Sequence, residues 1–385
     1  MNSLNELKHF VIKTFLLSLV LGAVIAFIST SWLPYKGEQN FEYGPILSWV
    51  EDPRTTVTIS WGWEKNMRGY VLYWNETFRG KVEVKGSIIN VTLRNLSPDT
   101  IYNYVIGYYE NERKVNWTKV YQFKTAPLEF KPFTFLVHTD TQMHETGLGC
   151  FEKFVEIASK EDFDFMIHIG DLVQADKQYR MWERFLKGET KLACCHPLIA
   201  TPGNHEYLEY GKNEARNYKR YLALPGNEFW YTFNYSNVVF VALGVYDYEN
   251  FSMPKEEIKM LEKALSDTSK WRIVYFHIPA VEFYYGTGVT TISRSLFPLI
   301  NKCKPDLVLM GHVHGYARAN INDTTYVTLS SVGGIPAPLL MDDKSVDYYY
   351  FNYGYAIVKV NGNNIDFYFK DLDGNVIDHF TLTRG

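Results

Sequence analysis

The sequence contains few cysteines, and their spacing does not fit a thiolate metal site. There are four of them, Cys150, Cys194, Cys195 and Cys303. No CxxC pair occurs, so a zinc site built from cysteine thiolates is not expected. In an oxidising compartment four cysteines allow three full pairings. The adjacent Cys194 and Cys195 should not bond to each other easily, and the pairing stays open.

A basic excess is also lacking. The formal net charge is −4 and charged residues make up 21% of the chain, so nothing indicates nucleic acid as a bulk partner. Hydrophobic residues, at 46%, are sufficient for a buried core, and a length of 385 residues suggests two or three structural units. Aromatic residues are abundant at 16%, with 29 tyrosines. They favour a β-rich protein, because Tyr and Phe suit half-buried pleated surfaces.

The N-terminus contains an uncharged apolar stretch. It runs from Thr14 to Leu33, and Lys8 and Lys13 precede it. About 20 apolar residues are enough to cross a bilayer as a helix, and flanking lysines favour a cytoplasmic N-terminus. Residues 1–40 are therefore predicted to form a cytoplasmic stub, a signal anchor at about residues 14–33 and a linker. The alternative is a cleaved signal peptide with a weak site at Ser29 and Ser31, which would give a secreted protein.

Potential glycosylation sites agree with a location outside the cytoplasm. N-x-[ST] triplets begin at Asn75, Asn90, Asn95, Asn116, Asn234, Asn250 and Asn322. Pro98 should impair the triplet at Asn95. The prediction is a glycoprotein held at the cell membrane by one N-terminal helix, with the rest of the chain extracytoplasmic.

Residues 41–127 have the pattern of a β-sandwich. Short stretches such as TVTISWGW, GYVLYW and YNYVIGYYE alternate or are rich in β-branched and aromatic residues, with turn residues between them. The stretch LSPDTIYNYVIGY resembles fibronectin type III domains, which implies a corner tyrosine at Tyr102 or Tyr104 whose hydroxyl bonds to nearby backbone. The sequence Thr125-Ala126-Pro127 is typical of a linker. Because no titratable cluster occurs here, the unit is interpreted as a spacer.

Residues 128–385 instead alternate apolar strands with amphipathic helices, which predicts an α/β fold. Polar residues follow five of the strands. In open α/β sheets, sites lie beyond the carboxyl ends of the strands. The residues expected to meet at that edge are Asp140, Asp171, Asn204, His205, His277, His312 and His314.

Each of these features alone is typical of a turn, a helix cap or a core histidine. Five such features in succession, each directly after a predicted strand, favour a metal site. Divalent and trivalent ions bind carboxylate oxygen, amide oxygen and imidazole. Two ions about 3.5–4 Å apart lower the pKa of a bound water and hold phosphate oxygens for in-line attack. The pattern thus predicts phosphoester hydrolysis by a metal-bound hydroxide at a dinuclear centre.

The order D, GD, GNHE, H and GHxH resembles calcineurin-like metallophosphoesterases. The stretches GDLVQAD, TPGNHE, FWYTFNYSNVVFVAL, IVYFHIP and GHVHGYAR are similar to purple acid phosphatases, as are the closing strands and the two-domain plan. The resemblance covers nearly everything after residue 41. It implies a four-layer αββα catalytic fold preceded by an all-β fibronectin-like or immunoglobulin-like sandwich.

The resemblance also implies a role for each residue. Asp171 is expected to bridge both metals. Asp140 and His314 are expected to bind the first metal, and Asn204, His277 and His312 the second. His205 is expected to stabilise the transition state or protonate the leaving group, and Asn204 to contact phosphate.

Two departures concern the first metal. Gln174 occupies the position of the tyrosine ligand of purple acid phosphatases, and Gln142 that of a histidine ligand in other superfamily members. Gln142 could supply an amide oxygen, His144 is a less favoured substitute, and water is the remaining alternative. A nearby tyrosine such as Tyr179 could also reach in. Without a tyrosinate, a ferric site is not expected, and two divalent ions (Mn, Fe, Zn or Co) are predicted.

A third departure concerns the substrate. The family's substrate-recognition histidines after the HIP segment are replaced by VEFYYG. The prediction is hydrolysis of small phosphomonoesters, as in acid phosphatases. The alternatives are a phosphodiesterase of the same fold and a catalytically degenerate binding module at the cell surface.

Overall fold

The structure is a computed structural model that describes residues 41–111, 114–143, 150–207, 215–245, 252–281, 283, 290–336 and 346–384. The predicted membrane segment at residues 14–33 and His144 lie outside these residues. Within the described part of the chain, no helix is both long and apolar enough to span a bilayer. The orientation of the chain in a membrane therefore stays a prediction.

The first part of the chain is an all-β unit of six hydrogen-bonded strands. They are β1 (Phe41–Ser48), β2 (Val57–Trp74), β3 (Arg79–Leu93), β4 (Ile101–Asn111), β5 (Lys114–Trp117) and β6 (Tyr121–Lys124). The stretches TVTISWGW and GYVLYW are one long strand, β2, whose pairing with β3 shifts between Gly62 and Met67. A bulge continues the strand where the sequence suggested a turn.

The corner tyrosine of this unit is Tyr102. Its buried hydroxyl accepts a hydrogen bond from the backbone N–H of Ser97 at 2.9 Å. Tyr104, the other candidate, instead donates to the backbone carbonyl of Cys194 at 2.7 Å. The two tyrosines therefore differ in role, since Tyr102 holds its own turn and Tyr104 contacts the second part of the chain.

The second part contains two sheets. One has the order β19-β18-β17-β7-β8-β9 and the other β10-β11-β12-β13-β15-β14-β16. Their strands are β7 (Phe133–His138), β8 (Phe165–Ile169), β9 (Leu198–Thr201), β10 (Tyr231–Tyr235), β11 (Val238–Ala242), β12 (Trp271–Tyr275), β13 (Leu307–Met310), β14 (Tyr316–Ile321), β15 (Thr324–Thr328), β16 (Tyr348–Tyr350), β17 (Gly354–Asn361), β18 (Asn364–Asp371) and β19 (Val376–Thr383). The helices are α1 (Cys150–Ala158), α2 (Tyr179–Ala193), α3 (Asn204–Tyr207), α4 (Arg216–Tyr221), α5 (Lys255–Leu265) and α6 (Thr290–Cys303).

The sheets face each other through aromatic side chains. Phe165 of β8 packs edge-on against Phe240 of β11, with ring centroids 5.6 Å apart. Side chains alternate along a strand, so His168, three residues after Phe165, lies on the opposite face of β8. There it contacts Phe185 of α2. Helices α5 and α6 bury Leu261 and Leu296 against the opposite sheet. This is the α/β metallophosphoesterase arrangement that the sequence predicts.

The β-unit packs directly on the α/β part. Trp49 is buried and contacts Phe165 at a ring-centroid distance of 5.3 Å. Ser48 donates a hydrogen bond to the carbonyl of Ala223 at 2.6 Å. The expected linker is buried as well, since Thr125 and Ala126 are at most 1% exposed. The β-unit thus keeps a hydrophobic core of its own, while Tyr43, Ile46, Trp49 and Ala126 join the core of the α/β part.

Candidate metal centre

The predicted polar residues meet where the two sheets come together. Parallel strands β7 and β8 end just before Asp140 and Asp171, and parallel strands β12 and β13 end just before His277 and His312. Backbone hydrogen bonds tie these ends together. Asp140 N–H donates to the Gly170 carbonyl at 3.1 Å, and Gly311 N–H donates to the His277 carbonyl at 2.9 Å. The strand ends thus form one continuous edge.

The backbone at this edge is strained. Asp140, Gln142, Asp171, His312 and His314 have φ values of 52°, 38°, 54°, 74° and 51°. Non-glycine residues rarely adopt this left-handed region, and strain of this kind clusters at functional sites. Each turn reverses the chain directly after a strand, which aims a short polar side chain into the space between the strand ends.

Two glycines allow this close approach. A Cβ on Gly203 would lie 2.1 Å from Asp171 Oδ1, and one on Gly311 would lie 2.3 Å from Thr139 Oγ1 and 2.8 Å from Asp140 Oδ2. The glycines of GNHE and GHVH are therefore required by packing against the carboxylates. An alanine at either position would displace the side chains predicted to bind metal.

Asp140 has one oxygen held by protein and one aimed into the site. Oδ2 accepts from Thr139 Oγ1 at 2.7 Å and from His312 N–H at 2.9 Å. Oδ1 is buried and has no hydrogen-bond partner among the described residues. It lies 3.3 Å from His314 Nε2 and 4.0 Å from His277 Nε2. An unpartnered buried carboxylate oxygen is costly unless a cation satisfies it.

His277 and Asp171 form the centre of the cluster. The Nε2 atom of His277 lies 3.1 Å from Asp171 Oδ2, and both side chains are buried. Nδ1 bonds to the Ile169 carbonyl at 2.7 Å, which orients Nε2 toward the carboxylates. Burial opposes the charged ring, but Asp171 and Asp140 outweigh it and raise the pKa of His277 to about 9. Without a metal, the imidazolium balances the carboxylate charge.

Asn204 and the two remaining histidines complete the set. Asn204 Oδ1 lies 3.1 Å from His277 Nε2 and 2.9 Å from His312 Nδ1. Burial and His277 lower the pKa of His312 to about 4, which keeps the ring neutral. The Nδ1 atom of His314 bonds to the Ile335 carbonyl at 3.0 Å, leaving Nε2 to face Asp140. Burial opposes the charge of His314, but Asp140 raises its pKa.

His205 lies at the open side of the cluster. Its backbone N–H donates to Asp171 Oδ1 at 3.0 Å. Its Nδ1 lies 2.8 Å from the Gln174 carbonyl and 3.3 Å from the Gln174 Nε2 atom. The contact with the carbonyl places the Nδ1 proton there. The Nε2 atom is then left facing outward, 3.8 Å from Asp171 Oδ2.

The departures at the first metal have a structural counterpart. Gln142 reaches the site, with Nε2 3.3 Å from Asp171 Oδ2, whereas the Gln174 amide contacts His205 instead. Tyr179 does not reach in, since it is 58% exposed and its hydroxyl accepts from Arg180 at 3.3 Å. The structure thus places Gln142, rather than Gln174 or Tyr179, beside the carboxylates.

Glu206 is a site residue that the sequence analysis missed. Its buried carboxylate accepts from the backbone N–H groups of Asp171, Gly203 and Val173 at 2.9, 2.8 and 3.1 Å. It therefore joins the turn after β8 to the turn after β9. Burial and Asp171 raise its pKa to about 8, while the N–H donors oppose that shift. Its place in the GNHE motif, directly after Asn204 and His205, is the sequence feature that could have identified it.

Behind the site lies a buried polar cluster that the sequence did not reveal. His138 and His168 are paired on β7 and β8, with ring centroids 4.5 Å apart. His168 Nε2 contacts Thr141 Oγ1 at 2.8 Å, and Glu189 Oε1 of α2 lies 3.5 Å from His138 Nε2. Burial raises the pKa of Glu189 to about 8 and lowers that of His138 to about 3. Both groups are therefore neutral near pH 7.

The donor set fits divalent metal ions. Asp171, His277 and His312 each offer a ligand atom, and these atoms lie within 4.8 Å of one another. Asp140 Oδ1 adds a carboxylate oxygen without a protein partner. Mixed carboxylate, amide and imidazole ligands suit Mn, Fe, Zn and Co. The roles of the individual ligands stay predictions.

The chain also matches known families. Residues 133–316 match the family described as "Calcineurin-like phosphoesterase", and residues 43–125 match "Purple acid Phosphatase, N-terminal domain". It is 30% identical over 247 residues to purple acid phosphatase 21 of Arabidopsis thaliana, covering 60% of this chain and 53% of that protein. It spans about half the length of the curated relatives it matches.

Solved structures share the fold. The purple acid phosphatase PPD1 of yellow lupin (Lupinus luteus) superposes with a TM-score of 0.75 at 20% identity, over 88% of this chain and 74% of that one. A structure described as PhoD superposes with a TM-score of 0.69 at 15% identity, over 91% and 90%. Such identities establish the fold alone. The chain combines a calcineurin-like metallophosphoesterase domain with a purple acid phosphatase N-terminal domain, and its homologues are purple acid phosphatases.

Proposed function

We propose that the chain is an extracytoplasmic, metal-dependent hydrolase of small phosphomonoesters. The observation that supports this most strongly is the convergence of Asp140, Asp171 and three histidines at the strand ends of the two sheets. In the described part of the chain, Asp140 Oδ1 is buried without a hydrogen-bond partner and lies 3.3 Å from His314 Nε2. Residues 128–385 would form the hydrolytic unit and residues 41–127 the spacer. The homologous purple acid phosphatases make a dinuclear centre the family expectation.

The proposed ligands divide between two ions. Asp140 and His314 would hold the first, with Gln142 as a possible extra ligand. Asn204, His277 and His312 would hold the second, and Asp171 would be shared. Bound ions of this kind activate water and neutralise phosphate charge. The hydrogen bonds from His277 and His314 to backbone carbonyls fix the ring orientations before any ion enters.

His205 and Asn204 would do the remaining chemistry. The Nδ1 atom of His205 contacts the Gln174 carbonyl, so Nε2 is the ring nitrogen that would pass a proton to the leaving oxygen. Nε2 lies 3.8 Å from Asp171 Oδ2, on the side of the proposed ions. The amide nitrogen of Asn204 would donate to a phosphate oxygen while its oxygen binds the second ion.

The proposed location rests on the N-terminal sequence. The apolar stretch at residues 14–33 after Lys8 and Lys13 supports a single membrane anchor, or a secretion signal if it is cleaved. The N-x-[ST] triplets support glycosylation outside the cytoplasm. The substrate would then be a small extracytoplasmic phosphomonoester.

A second candidate is a degenerate binding module at the cell surface. It is favoured by Gln174, whose amide replaces the family's tyrosine and contacts His205 rather than the carboxylates. A site that binds only one metal ion tightly would bind a phosphoester without hydrolysing it. Measuring turnover distinguishes the two candidates.

The test is a hydrolysis assay of the purified full-length chain. Chelated protein is loaded with Mn, Fe(II), Zn or Co and given p-nitrophenyl phosphate or bis-p-nitrophenyl phosphate. We expect the monoester to be hydrolysed faster, with activity lost on chelation. His205→Asn should lower kcat by about 100-fold or more, the usual contribution of general acid catalysis. His379→Asn, on an exposed strand, is the matched control.

Three outcomes would overturn parts of the proposal. A faster diester reaction assigns a phosphodiesterase. Phosphate binding without turnover, with any of the metals, assigns the binding module. Full activity after thorough chelation would show that hydrolysis does not depend on a metal ion.

A further inference from the structure

Two adjacent thiols lie where the β-unit meets the α/β part. Helix α2 ends at Ala193, and Cys194 follows as its C-cap with φ −68° and ψ −17°. Cys194 is buried and Cys195 is partly exposed. Their sulfur atoms are 3.5 Å apart, and both cysteines are free thiols. The pair is therefore in contact without being bonded, and one member is open to solvent.

The surroundings of the two sulfurs differ. The Cys194 thiol lowers the pKa of Cys195 to about 6, with burial opposing and the Gln122 backbone N–H and Lys119 assisting. The same contact and burial raise the pKa of Cys194. By contrast, burial raises the pKa of Cys303, which is also partly exposed. Of the two, Cys195 is therefore the thiol that loses its proton more readily.

The β-unit helps to build this environment. Gln122 belongs to β6, and Lys119 lies two residues before the start of that strand. Tyr104 of β4 is buried, stacks on Tyr121 with centroids 5.2 Å apart, and donates its hydroxyl proton to the Cys194 carbonyl at 2.7 Å. The peptide unit between the two cysteines is thus held by the neighbouring part of the chain.

We propose that Cys195 and Cys194 form a thiol–disulfide exchange site for a low-molecular-weight disulfide such as oxidised glutathione. A partly exposed thiolate beside a second thiol has the attacking and resolving groups that this chemistry needs. Contact between the sulfurs removes the need for a large movement in the second step. The site is separate from the metal centre and independent of the proposed hydrolysis.

The reaction balances without a further reactant. The Cys195 thiolate attacks one sulfur of the small disulfide, forming a mixed disulfide and releasing one thiolate. That thiolate takes the proton of Cys194. Cys194 then attacks Cys195 Sγ, and the second small thiolate leaves and is protonated by solvent. The small disulfide is reduced to two thiols, and the protein is oxidised to a Cys194–Cys195 disulfide.

The product should be readily reversible. Closing a ring across one peptide bond forces that bond away from its preferred geometry, as the sequence already suggests for adjacent cysteines. Strained disulfides have higher reduction potentials and are the labile ones. The Cys194 carbonyl must also turn, which weakens its bond with Tyr104. Oxidation would therefore disturb the contact between the β-unit and helix α2.

The test uses the reduced full-length chain and peptide mass spectrometry. We expect iodoacetamide to modify Cys195 about 10-fold faster than Cys303 at about pH 7, since the thiolate is the nucleophile. In denaturant the two rates should become equal. With oxidised glutathione, the wild-type peptide should lose two hydrogens and keep no glutathione. Excess dithiothreitol should restore it.

Variants separate the two steps. Cys194→Ser should accumulate a glutathione adduct on Cys195, and Cys195→Ser should form neither an adduct nor a disulfide at this place. Equal alkylation of Cys195 and Cys303 in the folded chain would overturn the proposal, and so would a lasting adduct in the wild type. The alkylation rates need no variant, so the proposal is testable even if a substitution impairs folding.

Discussion

Replacing Glu206 with glutamine should separate the two turns that carry the proposed ligands. The carboxylate accepts three backbone N–H groups, two at Oε2 and one at Oε1. The glutamine oxygen can keep the two hydrogen bonds from the N–H groups of Asp171 and Gly203. Its amide nitrogen then faces the N–H of Val173 and cannot accept from it. One orphaned buried donor costs about 1–3 kcal/mol.

The loss should also appear in metal binding. Asp171 takes its strained φ of 54° with its N–H held by Glu206. Substitution of groups that orient a ligand lowers metal affinity by about 10–100-fold. Urea unfolding of the metal-free chain measures the first effect, and calorimetric metal titration the second. Glu129→Gln is the control, because Glu129 is exposed. A change in unfolding free energy below about 0.5 kcal/mol, with unaltered metal affinity, would refute the reasoning.

Three further predictions follow from the site, its surroundings and the N-terminus. The iron-loaded chain should lack a strong purple band in its visible spectrum, because an amide at Gln174 gives no tyrosinate transition; Gln174→Tyr should gain the band, and colour in the unmodified protein contradicts this. In the wild type, Glu189 has a pKa of about 8 when folded and ionises at lower pH when unfolded, so the wild type loses stability as the pH rises from about 5 to 9. Glu189→Gln lacks this loss, and its free energy of unfolding should rise relative to that of the wild type by a few kcal/mol over this range. Urea unfolding at both pH values checks the prediction, and a difference that does not change with pH contradicts it. External protease should cleave the chain in intact cells, and protection until lysis would show that the orientation inferred from Lys8 and Lys13 is wrong.

The edge of the sheet could be predicted from the sequence because the signal is local. Asp140, Asp171, His277 and His312 each follow an apolar run, and the carboxyl ends of parallel strands are where sites are expected. The two aspartates follow strands of one sheet and the two histidines follow strands of the other, a division that the sequence did not reveal. The alternation of strands and helices likewise predicted the α/β arrangement. These inferences use only spacing and residue type, which a single chain displays.

Other features depend on contacts between distant segments. Glu206 binds the N–H groups of residues 33 and 35 positions earlier. The left-handed turns at Gln142 and His314 are imposed by the assembled edge rather than by residue type. The neutral Glu189 beside His138 requires helix α2 to cover the sheet. Such positions read as ordinary turn or helix residues until the fold brings their partners to them.

The β-unit illustrates the same limit. Its strands were recognisable, but the choice between Tyr102 and Tyr104 as corner tyrosine needed the structure, because both alternate onto the same face. The environment of Cys195 likewise combines helix α2 with β6, which lie far apart in the chain. The distance of 3.5 Å between the Cys194 and Cys195 Sγ atoms could not be inferred from the adjacency of the two residues.

Metal content of the purified full-length chain is the most direct test of the proposed dinuclear centre. After loading and removal of free metal, the wild type and the exposed-site control Asp373→Asn should each retain about two ions per chain. Asp171→Asn should retain almost none and lose hydrolysis in parallel, because its shared carboxylate supports both ions. Retention of both ions with near-normal turnover in Asp171→Asn would contradict the dinuclear centre.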